Sequence, residues 1–513
     1  MKKFLSYFFV TILIFLSRLV SLAAGWALDT FGNISVDEII FHLKMPLEGT
    51  NPDYFVNFAK SCVLPALTFT LPVLLFIIVF LTINEKVSSL DCRLCLKFSV
   101  REKTKRLKLF PLRFLKPVVM LGTLVFLVYS VTSSANAIDL TSYIKAQATS
   151  SKFIEENYVR PSNDLLTYPE QKRNLIYIFL ESVETTFMSK EEGGAFDYNC
   201  IPELTQLARD NISFSGNDQF HGGIPTVGTT WTMGAMFAQT TALPLNIPIG
   251  MNSMSEYQEF FPGVTGLGDL LDEAGYKNYL CIGSDVVFGG RKNYFQQHGN
   301  YEIWDYYSAI ENKKIPEDYY MWWGYEDSKL FDYAKEQLLE ISAKGEPFNY
   351  TMLTADTHFE DGYYCPLCED EFDTQYANVY ACSSRQLNAF IQWIQQQDFY
   401  ENTTVILCGD HLTMDMDFCE DVPESYPRGV YNAILNSAVE PATQKNREFT
   451  TMDMFPTTLA SMGIEIEGDR LGLGVNLFSE QPTLIQEYGI DQLNEELSSK
   501  STFYNSELLY SKE

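Results

Sequence analysis

Glu181, Asp410 and His411 are residue types that bind divalent cations, and each follows a short apolar run. Glu181-Ser182 comes after NLIYIFL at 174–180, and Gly409-Asp410-His411 closely follows TVIL at 404–407. Two further runs end in the same way. YLCI at 279–282 leads into Gly283-Ser284-Asp285, and YTML at 350–353 leads to Asp356 and His358. Two carboxylates and an imidazole form an O,O,N donor set for a hard or borderline cation such as Mn2+, Mg2+ or Zn2+. A single Glu at a strand end serves as readily as a helix cap or an ion-pair partner. Asp-His directly beyond an apolar strand is more telling. The chain has only five histidines, and His221, His298, His358 and His411 all lie beyond residue 137.

A metal site needs a reacting group. Residues 222–239 read GGIPTVGTTWTMGAMFAQ, a Gly/Pro/Thr-rich loop running into a helix start at Thr232. A hydroxyl at a helix N-terminus sits in positive potential, which favours an alkoxide and an anionic substrate. A neighbouring divalent cation would lower its pKa further and make it a nucleophile at neutral pH. The plain alternative for Thr232 is an N-cap.

These groups must be positioned by the elements around them. Short apolar runs alternate with amphipathic ones from residue 174 onward, the pattern of an α/β domain on a mainly parallel sheet. Helices are expected at 328–342 and 384–397. In open α/β sheets ligands bind beyond the carboxyl ends of the strands, where the acidic and imidazole groups fall. The expected organisation is a membrane anchor at 1–137, a connector at 138–170, a catalytic domain at 171–480 and a C-terminal tail at 481–513. Cys365-Pro-Leu-Cys368 allows an internal disulfide, pairing of one member with Cys382, or a metal site.

The anchor rests on three apolar stretches, at about 4–24, 64–83 and 118–131, against the roughly 20 residues needed to cross a bilayer. Between the second and third lies a basic loop, 85–116, with ten Lys and Arg against three acidic residues. The positive-inside rule makes that loop and the N-terminus cytoplasmic and everything beyond about 137 extracytoplasmic. The chain is 513 residues long with a formal net charge of −29. That figure divides into +7 for residues 1–137 and −36 for the remainder. So acidic a chain argues against a nucleic-acid partner, which requires a basic surface. Ala135-Asn136-Ala137 has the A-x-A form of a signal-peptidase site, so release of the domain after Ala137 is one expectation.

Taken together, the segments NLIYIFLES (174–182), GTTWTMGAMFAQ (228–239), FGGRKNYFQQHG (288–299), ADTHFEDGYYC (355–365) and TTVILCGDHLTMD (403–415) resemble the alkaline phosphatase/sulfatase superfamily. Within it, the chain is most similar to membrane-anchored phosphoglycerol transferases and lipoteichoic acid synthase-like enzymes. MDMFPTTLASMGI (452–464) and RLGLGVNLFS (470–479) add to the likeness. The resemblance implies an extracytoplasmic sulfatase-like α/β domain behind transmembrane helices in a bacterial cell membrane. It implies Mn2+-type coordination by Glu181, Thr232, Asp410 and His411, with Thr232 as nucleophile. Arg291 and His358 match positions that bind the phosphoglycerol group. The implied reaction moves phosphoglycerol from phosphatidylglycerol to a cell-envelope glycan, polymer or glycolipid through a covalent threonine intermediate. Phosphoethanolamine transfer, phosphodiester hydrolysis and a non-enzymatic binding protein with a degenerate site remain alternatives. No Cys-x-Pro-x-Arg or Ser-x-Pro-x-Arg sequence occurs to supply the formylglycine of a sulfatase.

Overall fold

The computed structural model describes the chain except residues 1, 33, 46–49, 51, 88–92, 101–102, 112–114, 248–258 and 511–513. It divides into two compact units. One comprises Met1–Ile34 and Asn51–Ser142, the other Ser35–Thr50 and Tyr143–Glu513.

The first unit is built on long apolar helices. They are α1 (Lys2–Phe31), then, past the short α2 (Val36–Lys44) of the other unit, α3 (Pro52–Phe58), α4 (Leu64–Val87) and α5 (Leu115–Ala137). A π-helical turn, Ala59–Val63, joins α3 to α4. Three stretches are long and apolar enough to cross a membrane: Phe8–Phe31, Tyr54–Phe76 and Pro117–Ala137. The second therefore begins about ten residues earlier than the apolar run suggests. Large apolar side chains such as Leu75, Phe76, Leu121 and Val125 face outward, while Ser17, Thr70, Thr123 and Ser130 are buried. This inside-out distribution suits a hydrocarbon surround, where each hydroxyl must find an internal acceptor. Thr70 Oγ1 accordingly donates to the Ala66 carbonyl at 2.7 Å, and Arg18 lies over the Phe69 ring. The basic loop contains an antiparallel hairpin, β1 (Arg93–Val100) with β2 (Lys103–Pro111); parts of it, including 88–92 and 112–114, lie outside the described residues. Ala135–Ala137 form the last turn of the continuous helix α5.

In the second unit, β3 (Leu166–Thr167) makes a minor pairing with Glu465–Ile466. The main sheet has six strands: β4 (Asn174–Leu180), β5 (Lys277–Ile282), β6 (Glu302–Trp304), β7 (Phe348–Leu353), β8 (Thr403–Gly409) and β9 (Asn432–Leu435). Their order is β6-β5-β7-β4-β8-β9. All neighbours are parallel except β9, which runs against β8. Strand β4 has no polar alternation because both of its faces are covered. Leu175, Tyr177 and Phe179 join one buried cluster, and Ile176, Ile178 and Leu180 join the other. The register pairs Leu180 with Gly409 and Phe179 with Leu353, and Leu353 with Ile282. The carboxyl ends of β4, β5, β7 and β8 are therefore level, and the residues that follow them share one rim.

The structure draws the unit boundaries differently from the sequence. Ser35–Thr50, which lies between the first two apolar helices, belongs to the sheet-bearing unit. The region beyond 480 is folded: Leu484–Tyr488 and Ile490–Ser498 are helical, and Leu493 and Leu497 are buried in the main core.

Candidate active site

Glu181 is the first residue after β4, where the chain turns sharply through Ser182, whose φ is +56°. That left-handed conformation is costly for a residue with a side chain and is held by its surroundings. The Ser182 amide donates to Asp410 Oδ1 at 2.8 Å, and its carbonyl accepts from the Tyr380 hydroxyl at 2.8 Å. The Glu181 amide donates to Thr354 Oγ1 at 3.0 Å and the Glu181 carbonyl accepts from Thr357 Oγ1 at 2.5 Å. Two threonines beyond β7 thus fix the backbone that presents the carboxylate.

Just beyond β8, the His411 amide also donates to Asp410 Oδ1, at 2.7 Å. Asp410 Oδ2 is buried with no hydrogen-bond partner. His411 Nδ1 lies 2.8 Å from the Leu412 carbonyl. Donation there fixes the tautomer and leaves the Nε2 lone pair facing the carboxylates. Nε2 is 3.4 Å from Glu181 Oε1 and 3.4 Å from Asp410 Oδ2.

Thr232 completes the group. It is the first residue of the helix Thr232–Thr241, but its side chain does not cap it; Trp231 occupies the N-cap position without a side-chain hydrogen bond. The Thr232 hydroxyl instead lies 3.3 Å from Glu181 Oε2 and 3.3 Å from His411 Nε2. Gln239, two turns on, bolts this helix to the sheet. Its Nε2 donates to the Gly409 and Asp410 carbonyls, and its Oε1 accepts from the Tyr177 hydroxyl. Thr229 is committed elsewhere, with its Oγ1 donating to the Thr226 carbonyl and accepting from the Thr226 amide.

The donor set fits a divalent cation. Ligand atoms of Glu181, Asp410 and His411 lie within 4.8 Å of one another, and all three residues are buried. An orphaned carboxylate oxygen beside a second buried carboxylate is an arrangement that a cation resolves. The electrostatics agree. Burial raises the Glu181 carboxyl, but His411, His358 and hydrogen bonds from Ser182 and Thr232 outweigh it and leave it below its ordinary value. Burial and the charge of Glu181 push Asp410 up to about 7. Burial lowers His411, but the two carboxylates outweigh it and raise the imidazole overall.

Arg291 and His358 face the same cluster. Arg291 opens the helix Arg291–Gln297, behind Gly289 and Gly290, whose φ values are +67° and +77°. Its Nε donates to the Phe288 carbonyl at 3.0 Å and its Nη2 to the Asp285 carbonyl at 2.8 Å. Burial lowers the guanidinium to about 10, and Glu181 is among the charges supporting it. His358 Nδ1 lies 2.7 Å from the Phe359 carbonyl, which leaves Nε2 free, and Trp323 packs on its ring at 4.7 Å. Burial lowers its pKa against the pull of Glu181, and His411 and Arg291 lower it further. Asp356, which also follows β7, does not join the group. Its carboxylate accepts from the Asp327 amide and its own amide donates to the Asp327 carboxylate, which holds the loop in place.

Helix α2 also lies against these groups. Phe41 is buried against Trp231, with rings 5.5 Å apart. His42 stacks on Phe288, and Met45 lies against Gly290, where a Cβ would come within 3.1 Å of its sulfur. Glu38 is 3% exposed and feels the charge of His411. A nine-residue segment between two apolar helices carries no motif, so only the fold shows that it lines the site.

The sulfatase family model matches residues 173–464, more than half of the chain. The chain belongs to the sulfatase family. Among relatives of this sulfatase-family chain are the phosphoglycerol transferases I of Escherichia coli O139:H28 (strain E24377A / ETEC) and Shigella boydii serotype 18 (strain CDC 3083-94 / BS512). Each is 30% identical over 333 residues, 63% of this chain and 41% of the relative. The chain thus spans about two fifths of their length. Among solved structures, the lipoteichoic acid synthase LtaP of Listeria monocytogenes matches with a TM-score of 0.48 and 18% identity, covering 64% of this chain and 81% of that one. The phosphoethanolamine transferase EptA of Neisseria meningitidis gives a TM-score of 0.47 and 13% identity, covering 88% and 84%.

Proposed function

We propose that this protein is a membrane-anchored phosphoglycerol transferase that acts by double displacement through Thr232. The observation that carries the reading is the placement of the Thr232 hydroxyl, at a helix start and 3.3 Å from both Glu181 and His411. The names of the curated relatives support the phosphoglycerol group. Glu181, Thr232, Asp410 and His411 would hold a divalent cation, Mn2+ in our reading, which supplies positive charge that favours the alkoxide and offsets charge on the phosphoryl oxygens.

The donor is phosphatidylglycerol, and the reacting centre is its phosphorus. The Thr232 hydroxyl gives its proton towards Glu181 Oε2 and attacks; the P–O bond to diacylglycerol breaks, and the same proton, passed on from Glu181, leaves on diacylglycerol. Amides at the helix start and the Arg291 guanidinium steady the phosphoryl charge. His358, neutral and fixed in one tautomer, offers Nε2 to a glycerol hydroxyl. An acceptor hydroxyl on an envelope glycan, polymer or glycolipid then attacks the phosphorus of the phosphoglycerol-threonine diester; the Thr232 Oγ1–P bond breaks, and the acceptor's proton passes by way of Glu181 to the freed Thr232 oxygen. The apolar helices hold the enzyme in the bacterial membrane where its lipid donor resides, with the basic hairpin cytoplasmic and the sheet-bearing unit outside.

The test is incubation of the protein with phosphatidylglycerol and Mn2+, followed by mass spectrometry of the Thr232 peptide. A phosphoglycerol adduct on Thr232, absent in Thr232→Ala together with all transfer, is expected. Transfer by the Thr232→Ala protein would overturn the nucleophile assignment, and a phosphoethanolamine adduct from mixed lipids would overturn the donor.

A further inference from the structure

Three cysteines gather away from this site. Cys365 and Cys368 lie on the loop that carries His358 out of β7, and Cys382 lies in the helix Gln375–Gln395. The Cys365 sulfur is 3.7 Å from that of Cys382 and 3.7 Å from that of Cys368. All three sulfurs lie within 4.8 Å of one another. Cys365 and Cys382 are buried and Cys368 half-buried.

These separations discriminate between the chemistries open to a thiol cluster. A disulfide brings two sulfurs to about 2.05 Å. Sulfurs bound at about 2.3 Å around a tetrahedral Zn2+ stand about 3.8 Å apart. The separations of Cys365 from Cys368 and from Cys382, both 3.7 Å, are near the second.

The surroundings suit thiolates. Gln386, one turn beyond Cys382, directs its amide Nε2 at the sulfurs of Cys382 (3.3 Å) and Cys365 (3.8 Å). Such second-shell donors orient thiolate ligands. Arg385, paired with Glu371, feels the charge of Cys382, and its Nη2 is buried without a partner. Three thiolates with one Zn2+ carry a net charge of −1, and the Arg385 guanidinium, shared with Glu371, lies in range of it.

From this geometry we infer that Cys365, Cys368 and Cys382 form a second metal site, selective for a thiophilic divalent cation, Zn2+, and separate from the Glu181–Asp410–His411 group. Each thiol releases its proton on binding, and no oxidant is involved. The fourth position is left to water, since no further imidazole, thiol or carboxylate joins the group among the described residues. The site ties the His358 loop to the helix Gln375–Gln395. Two other ties flank it. Asp327 holds the start of the loop at Ala355 and Asp356, and Asn378 accepts from the amides of Glu371 and Phe372 at its end. Zinc thus fixes the middle of a segment already held at both ends, and it positions His358 without touching substrate.

The experiment is elemental analysis of the full-length protein in detergent after loading with Zn2+ and Mn2+ and removal of free ions. In an Asp410→Asn background, which disables the other cluster, about one Zn2+ per chain is expected, lost in Cys365→Ser and in Cys382→Ser. X-ray absorption at the zinc edge is expected to show sulfur at about 2.3 Å. Alkylation after denaturation in chelator without reductant should label all three cysteines. Where a serine variant fails to fold, absorption and alkylation on the parent protein still decide. Two unlabelled cysteines recovered by reductant would show a disulfide and overturn the inference. Three labelled cysteines with no bound zinc, or zinc ligated only by oxygen and nitrogen, would overturn it equally.

Discussion

Raising the pH of the metal-free protein should unload a destabilising charge into its centre, and a divalent cation should reverse the effect. Asp410 is fully buried, and its carboxyl stands at about 7 through burial and the charge of Glu181, against an ordinary 3.8. A folded-state pKa above the unfolded one means that the folded protein holds the proton more tightly. The stability gained from that proton is complete below about pH 4 and is lost as pH rises through 7. Three pH units correspond to about 4 kcal/mol. For a unit of roughly 390 residues the unfolding entropy is about 0.8 kcal/mol/K, so the loss amounts to about 5 °C in Tm. The assay follows tryptophan fluorescence of the full-length protein on heating in detergent, in chelator or in Mn2+, between pH 5 and 8. The comparison is Asp410→Asn, whose remaining oxygen can still accept from Ser182 and His411. In chelator the variant should exceed the wild type by about 2 °C at pH 5 and by about 5 °C at pH 8, the two converging only near pH 4. Mn2+ should stabilise the wild type more at pH 8 than at pH 5 and the variant little at either. Equal pH slopes for the two proteins in chelator, or equal stabilisation by Mn2+, would refute the reasoning.

Three further outcomes follow from local geometry. Burial raises Glu38 to about 8, so Glu38→Gln should be silent near pH 5 and stabilising in chelator above pH 8, read from the same melts. A Cβ at Gly222 would come within 1.6 Å of the Val430 carbonyl oxygen; Gly222→Ala should cost about 3 kcal/mol or more in denaturant titration. Tyr380→Phe removes the hydroxyl that holds the Ser182 carbonyl and should cost about 1 kcal/mol, with a fall in Mn2+ affinity measured by calorimetry.

The strand ends were the most legible part of the sequence. LIYIFL (175–180) and VILC (405–408) are apolar without alternation because the sheet is covered on both faces, and the polar residues that follow them must lie at its rim. Thr232 could be singled out by the loop-to-helix transition, but its freedom from capping could not, since the N-cap role of Trp231 is tertiary. The helix expected from 384 begins at Gln375, because its first turns, QYANVYACSS, are buried almost all round and show no apolar stripe. The second apolar helix extends upstream of its apolar run because Asn57 and Lys60 break the hydropathy while the chain stays helical through a π turn. Spacing left Cys365, Cys368 and Cys382 with several pairings, and only coordinates show all three sulfurs together.

The contribution of α2 bears on how the catalytic unit can be isolated. A chain starting near residue 138 would contain every residue proposed to touch phosphate, yet lack Phe41, His42 and Met45. The side of Trp231 and Phe288 that these cover would then be open to water, a sticky apolar face beside Thr232. Poor solubility of such a fragment would reflect a missing internal part rather than an unstable fold. The remedy is complementation: a synthetic peptide spanning Ser35–Thr50, added in trans or fused through a flexible linker, should seat on that face. Its affinity would report directly on how firmly Phe41, His42 and Met45 hold to Trp231 and Phe288.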